Sequence, residues 1–354
     1  MIEFPLLAPL VPPAICAGPH GQTLLGNTLP SRGPHADDQI DVSLPDGDRL
    51  TVLVHAGKRP VMVHLWHGLC GHAQSGYVLR ATRWLTRAGY SVLRGNHRGC
   101  GAGRGKARLP YHSGRSGDLG HVVAFARKQW PDKKHIAVGF SLSGNALLLL
   151  VGRGGVAFPD AAISVNAPID LALCSDRLLA RENRLYDFRF ARLCKRTVRE
   201  RELDGLGAPP YKLPWNMTLQ RFDDLYTAPA GGFADRDDYY QTCSAGPHLA
   251  AITTPTLMLT SADDPMVPVH SYHQATLGKS VRLHVESRGG HMGYLSAKPT
   301  PLGTRRWLDY AVMTMVENLA GLVLGERKPS NESGFRALED QFPTVGVGDA
   351  IHQV

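Results

Sequence analysis

The sequence predicts an α/β fold, with a mainly parallel twisted sheet, helices on both faces and a helical lid insertion late in the chain. Three observations carry this. Short apolar runs rich in Val, Ile and Leu alternate with helix-spaced segments, the pattern of strands joined by crossover helices. That rhythm stops once, from about residue 170 to 250, and then resumes. And the heptapeptide Gly139-Phe140-Ser141-Leu142-Ser143-Gly144-Asn145 lies between a β-branched run and the helix former Ala146–Val151, which makes it a sharp strand-to-helix turn with a serine at its apex.

In chain order, residues 1–38 are rich in Pro, Gly and His and read as an extended arm over the domain. Ile40–Leu44 and Leu50–Val54 flank Pro45-Asp46-Gly47-Asp48 and predict a hairpin around the Asp-Gly turn. Val61–Trp66 is a third strand and Tyr90–Leu93 a fourth, joined by helical spacing from Ser75 to Ala88. An amphipathic helix from Asp118 to Trp130 leads to the strand His135–Val138, and Ala161–Val165 is the next strand. Residues 170–250 read as helical and irregular. A basic helix there holds Arg177, Arg181, Arg184, Arg189, Arg192, Lys195 and Arg196, with Leu178, Leu185, Phe188 and Leu193 as an inward stripe. Asp176, Glu182, Asp187, Glu200 and Glu202 interleave with its cations, so its other face reads as solvated. Strands resume at Thr254–Thr260 and Val281–Val285, and a last helix spans about Arg305 to Leu324. The chain thus divides into an arm (1–38), a core (39–169 and 251–325), a lid or cap (170–250) and a polar tail (326–354).

Composition narrows the function classes. The 354 residues are 43% hydrophobic and 20% charged, enough for a sizeable buried core. Lys and Arg number 39 against 31 Asp and Glu, a formal charge of +8. No basic run carries interleaved aromatics, so the charge is read as that of a soluble enzyme and no nucleic-acid partner is expected. Weak peripheral membrane contact through the basic helix is the second reading. Cysteines at 16, 70, 100, 174, 194 and 243 form no C-x-x-C pair and fit free thiols in a reducing compartment. The N-terminus makes a poor signal peptide, and no apolar stretch approaches a membrane span; a cytoplasmic protein is expected. Gly99 to Lys106 fails as a phosphate loop, and His64, His67 and His72 lack metal-ligand spacing. Neither cofactor nor metal is expected.

The chemistry expected at the turn follows from its serine. A hydroxyl is a weak nucleophile that needs a base, and the base needs an orienting carboxylate. The strand–Gly-x-Ser-x-x–helix context is that of a nucleophile elbow, with Gly139 meeting the demand for small neighbours and Ser143 standing where a second glycine is usual. Serine is small, so the departure is read as tolerated. The acid should follow a late strand: in Ser261-Ala262-Asp263-Asp264-Pro265-Met266-Val267-Pro268 the spacing to Pro268 selects Asp264, with Asp263 second. The base should lie beyond the last strand, where Gly289-Gly290-His291-Met292-Gly293 offers His291. Two backbone N–H donors should face the developing oxyanion. Leu142, after the nucleophile, supplies one; Leu69 in His67-Gly68-Leu69 is the candidate for the other. His67 itself reads as a loop-orienting residue.

With these placed, the chain resembles the YheT-like branch of the α/β-hydrolase superfamily, related to eukaryotic AB-hydrolase domain lipases. The resemblance runs through Pro19-His20-Gly21-Gln22-Thr23, His67-Gly68-Leu69, Asn96-His97-Arg98-Gly99-Cys100, Tyr111-His112-Ser113-Gly114 and Asp118. It continues in Phe222-Asp223-Asp224, Thr227-Ala228-Pro229, Gly232-Phe233, Asp238-Tyr239-Tyr240 and Gly290-His291-Met292-Gly293, covering about residues 4 to 320. The family's G-x-S-x-G-G is broken at Ser143. The resemblance implies an α/β-hydrolase fold, a serine esterase or lipase acting on carboxylic esters, and Ser141, Asp264 and His291 as its triad, without the membrane anchor of the eukaryotic relatives.

The reading is therefore a carboxylic ester hydrolase that works through an acyl-enzyme on a small acyl ester or lipid. Its rivals are an acyltransferase that passes the same acyl group to an alcohol, and a ligand-binding protein on a hydrolase scaffold.

Overall fold

The computed structural model describes residues 2–206 and 211–326; most of the expected tail, 327–354, lies outside them. Eight strands form one sheet: β1 (Asp38–Ser43), β2 (Arg49–His55), β3 (Val61–Trp66), β4 (Ser91–Gly95), β5 (Lys134–Phe140), β6 (Ala161–Val165), β7 (Thr256–Ser261) and β8 (Val281–Glu286). Their spatial order is β1-β2-β4-β3-β5-β6-β7-β8. The hairpin β1–β2 and the β2–β4 pair are antiparallel, and every pair from β4 to β8 is parallel. The predicted strands are all present, most with ends shifted by one or two residues.

Parallel strands are covered on both faces, which is why they read as continuous apolar runs. Alternation within a strand still sorts the two cores. Ile136, Val138 and Phe140 of β5 pack with Ile163, Val165, Leu257 and Leu259 beneath α2 (Gly76–Arg87) and α11 (Trp307–Leu324). Ala137, Ala162 and Met258 face the other way, against α3 (Ser116–Gln129) and the Leu147–Leu150 run of α4 (Leu142–Arg153).

Two readings are corrected. The arm is not extended throughout: α1 spans Pro19–Thr28, with Pro19 at its first position, where a missing N–H costs nothing. The basic segment is not one helix. It breaks into α5 (Leu171–Leu179) and α6 (Arg184–Leu203) because buried Asn183 donates to Arg177 O at 2.9 Å and to Pro265 O at 2.6 Å, ending the first helix and tying the break to the core. The break also resets the helix face. Leu185 and Phe188, expected inward, are 80% and 51% exposed, while Tyr186, Asp187, Ala191, Cys194, Val198 and Arg201 are buried. Asp187, expected in solvent, accepts the Leu219 N–H at 2.7 Å. The short helices α7 (Leu219–Phe222) and α8 (Ala228–Gly231), a π-helical turn at Asp223–Thr227, and α9 (Arg236–Cys243) bring the chain back to β7; α10 (His270–Gln274) follows β7.

Candidate active site

The predicted residues meet at the carboxyl ends of β5, β7 and β8, where open α/β sheets place their ligands. Ser141 leaves β5 with φ 54° and ψ −120°, a strained conformation that lifts the hydroxyl clear of the sheet. Its N–H donates to Val165 O at 2.7 Å, fastening the turn to β6. The close approach that demands glycine is at Gly139, where a Cβ would lie 2.4 Å from Ser143 O. Ser143 is tolerated for a positive reason. Its hydroxyl is buried, donates to the His67 carbonyl and accepts from His97 Nε2 at 2.6 Å.

His291 Nε2 lies 3.0 Å from Ser141 Oγ, and His291 Nδ1 lies 2.7 Å from Asp264 Oδ2. An ionised carboxylate only accepts, so Nδ1 carries the ring proton and Nε2 presents a lone pair to the serine hydroxyl. Asp264 is held on every side: Oδ1 accepts from the N–H groups of Met266 at 2.9 Å and Val267 at 3.0 Å, and Oδ2 also accepts from Asn166 Nδ2 at 2.8 Å. Asp263, the second candidate, accepts instead from Gly290 N at 2.9 Å and so braces the histidine loop.

The loop after β3 supplies the other wall. Gly68 N–H donates to Tyr77 Oη at 2.9 Å and Cys70 N–H to Tyr111 Oη at 2.6 Å. Between them the Leu69 N–H meets no protein acceptor among the described residues, nor does the N–H of Leu142 at the start of α4. His67 accepts the His97 N–H on Nε2 at 3.3 Å and donates from Nδ1 to Gly68 O at 2.9 Å, the orienting role expected of it. Burial pushes His67 far below the ordinary histidine range and His97 down to about 4, so both stay neutral. His64 is spent on His135, Nε2 to Nδ1, at 3.0 Å inside the sheet.

Several supporting residues escaped sequence reasoning. Thr23 Oγ1 accepts the His291 N–H at 2.9 Å, and Asn27 Nδ2 donates to His291 O at 3.0 Å. Gln22 brackets Leu295, accepting its N–H at 2.6 Å and donating to its carbonyl at 3.1 Å. Thus α1 lies against the histidine loop, at van der Waals limits where a Cβ on Gly293 would stand 2.2 Å from Gln22 O. Asn145 in α4 donates to Ser113 Oγ and to Cys243 O, each at 2.7 Å, and accepts from Ala245 N at 2.9 Å. The signals available for α1 were the Pro at position 19, a helix start, and the family resemblance of Pro19-His20-Gly21-Gln22-Thr23, which named the segment without its partners.

Ser141, His291, Leu69 and Leu142 open on a cavity walled by α5, α6, α7, the π turn and the segment after β7, with Leu178, Phe190, Val198, Phe222 and Met266 among its lining. The α6 residues on that wall, Phe190, Cys194, Thr197, Val198 and Arg201, fall at the three-and-four spacing of a single helix face. No helix among the described residues is long and apolar enough to cross a membrane, and no His, Cys, Asp or Glu cluster among them could hold a metal ion.

Comparison with known proteins gives the family. Residues 57–292 match the family model Hydrolase_4, described as serine aminopeptidase, S33. The chain is 30% identical to the protein named "Putative esterase YheT" of Escherichia coli over 325 residues, 87% of this chain and 92% of that one. It is 27% identical to phospholipase ABHD3 of Homo sapiens, over 80% of this chain and 73% of that one. Among solved structures, the Pyrococcus furiosus esterase Pf2001 superposes with a TM-score of 0.54 at 16% identity, over 81% of this chain and 98% of that one, a likeness of fold. The chain therefore belongs to the Hydrolase_4 (serine aminopeptidase, S33) family and is an α/β hydrolase of its esterase and lipase branch.

Proposed function

We propose that the protein hydrolyses carboxylic esters with an apolar acyl group through a covalent acyl-enzyme. The observation that carries this reading is the unbroken hydrogen-bonded series Ser141–His291–Asp264 at the edge of an apolar cavity. His291 Nε2 takes the Ser141 proton as the oxygen attacks the ester carbonyl. Asp264 holds the tautomer and stabilises the imidazolium. The Leu69 and Leu142 N–H groups receive the oxyanion. Collapse expels the alcohol with the proton from His291, and a water activated by the same nitrogen releases the acid.

The α5–α9 segment acts as the lid of this site and forms the acyl-pocket wall. Its outward face supports peripheral contact with an anionic lipid surface. Leu185 and Phe188 stand in solvent on the same helix as exposed Arg184, Arg189, Arg192 and Arg199, none of which lies within ion-pair distance of a carboxylate among the described residues, and Trp215 is 83% exposed.

The test is labelling with a fluorophosphonate followed by a p-nitrophenyl ester series of increasing acyl length. Wild type should label at Ser141 and turn esters over; Ser141→Ala should lose labelling and about 10^6 in kcat if the three groups act as a unit. Retained turnover in that variant would overturn the assignment. A competing alcohol in the same assay reads out acyl transfer as a transester product.

A further inference from the structure

Three of the segments that mark this chain, Phe222-Asp223-Asp224, Thr227-Ala228-Pro229 and Asp238-Tyr239-Tyr240, converge with the α5 residue Ser175 on one part of the cavity wall that the hydrolytic mechanism leaves unused. Asp223, Ser175, Thr227, Tyr239 and Tyr240 all line the cavity. Tyr240 Oη lies 2.8 Å from Asp223 Oδ2 and 2.8 Å from Ser175 Oγ. A phenol has one proton to give; the acceptor-only carboxylate takes it, and the serine hydroxyl donates to the phenol oxygen in turn. Thr227 stands near enough to favour the charged carboxylate. The Tyr240 bond leaves most acceptor positions of the carboxylate unsaturated, and Asp223 lines the cavity. No cation lies within ion-pair distance of Asp223 among the described residues. The residue opens a π-helical turn, a rare distortion that concentrates at functional sites.

We propose that Asp223, oriented by Tyr240, is a subsite that recognises a neutral hydroxyl group on the substrate. This rests on the esterase reading above and names its specificity. Charge selects the ligand class. A carboxylate in this apolar wall repels an anion, while Arg201, which lines the same cavity and donates to the backbone carbonyls of Ala107 and Arg108, opposes a cation. A hydroxyl gives the carboxylate a proton to accept and brings no charge into the cavity. A substrate without it leaves a buried acceptor unmet, a difference that sites of this kind convert to strong discrimination.

Burial pushes the Asp223 carboxyl up to about 6. Asp224 beside it acts in the same direction, while Thr227, Tyr240 and Arg236 of α9 act against it; Tyr239 and Cys194 complete the titratable groups around it. The hydroxyl preference should therefore strengthen as pH rises through 6, because only the ionised form is a pure acceptor.

The test compares octanoate esters that differ by one hydroxyl, in two arms: p-nitrophenyl 3-hydroxyoctanoate against the octanoate, and 2-hydroxyethyl octanoate against ethyl octanoate. The two arms tell an acyl hydroxyl from an alcohol hydroxyl. Wild type should favour the hydroxylated member of one pair by on the order of ten-fold in kcat/KM at pH 8, mainly through KM. The ratio should fall toward one below pH 6, and lie near one at all pH values in Asp223→Asn. Should that variant not fold, Tyr240→Phe, which removes the orienting phenol, should lower the ratio at least three-fold. Binding of octane-1,2-diol against 1-octanol to Ser141→Ala, by calorimetry, reads the subsite without turnover. A failed esterase assignment with a retained diol preference is thereby distinguished from a failed subsite. Ratios near one in both wild-type arms, or an undiminished ratio in Asp223→Asn, overturn the proposal.

Discussion

Ser143→Ala isolates the contact that replaces the usual glycine of the turn. The substitution removes one oxygen and leaves two buried groups without their partner: the His67 carbonyl and the His97 Nε2–H. His97 Nδ1 already has none, so the ring keeps no polar side-chain contact. Each stranded group costs about 1–3 kcal/mol, against about 0.5 kcal/mol regained from the better helix propensity of alanine. The net loss should be about 2–5 kcal/mol, read as a shift of the urea midpoint at constant slope. Because His67 leads into Gly68 and Leu69, kcat should fall on the order of ten-fold with KM little changed. The second half of the test is Ser143→Ala with His97→Phe. Phenylalanine keeps the stacking on Tyr111, whose ring lies 5.1 Å away and 7° from parallel, and removes the stranded donor. The double variant should be less destabilised than the sum of the two singles by about 1 kcal/mol or more. A single variant within about 0.5 kcal/mol of wild type, or strict additivity, would refute the reasoning.

Thr23→Val strips the acceptor from the His291 N–H and should lower kcat ten- to a hundred-fold, since a displacement of about 1 Å at a reacting group costs about that much; a rate within two-fold of wild type contradicts the bracing role. Burial holds His97 at about 4 and His112 at about 3, both below their unfolded value. Their contribution is complete above about pH 6.5 and is lost as pH falls toward 4, by up to about 1.4 kcal/mol per pH unit for each ring, while Asp223, raised to about 6, acts with the opposite sign. The urea midpoint should therefore drop between pH 7 and 5; a flat midpoint over that range counts against the buried neutral rings. Vesicles of phosphatidylglycerol should retain the protein at low salt and those of phosphatidylcholine should not. Leu185→Ser with Phe188→Ser should abolish the retention, and equal binding to both vesicle types would exclude the α6 face as the contact.

The sheet was legible because its strands lie between two helical layers. Burial on both faces forces near-continuous apolar runs such as Val61–Trp66, and these stand out against any flanking segment. The basic segment was less legible, because its break is set from outside. Asn183 looks like any polar residue in a helix; what ends α5 is the distant Pro265 carbonyl that its amide finds at 2.6 Å. With the segment read as one unbroken helix, the phase after the break was wrong, and Leu185 and Phe188 were assigned inward when the buried stripe runs through Tyr186, Ala191, Cys194 and Val198.

The same distinction divides the site. Ser141, Asp264 and His291 could be read because each follows its own strand, and a parallel sheet delivers those ends to one edge whatever the intervening sequence does. What holds them in register could not be read this way. The partners of His291 lie 268 and 264 residues earlier, on a helix within a stretch that looks like a proline-rich arm, and Asn166 reaches Asp264 across 98 residues. None of these pairings leaves a local periodicity, because each depends on two surfaces that meet only after the sheet has formed. The Ser143 departure shows the converse. A residue that breaks a local pattern carried information about a partner elsewhere: the hydroxyl at the second turn position exists in a site where His97 and the His67 carbonyl are both there to meet it. Reading a deviation as merely tolerated therefore discards its content. The productive question for such a residue is which buried group would lose its partner if the usual one were restored.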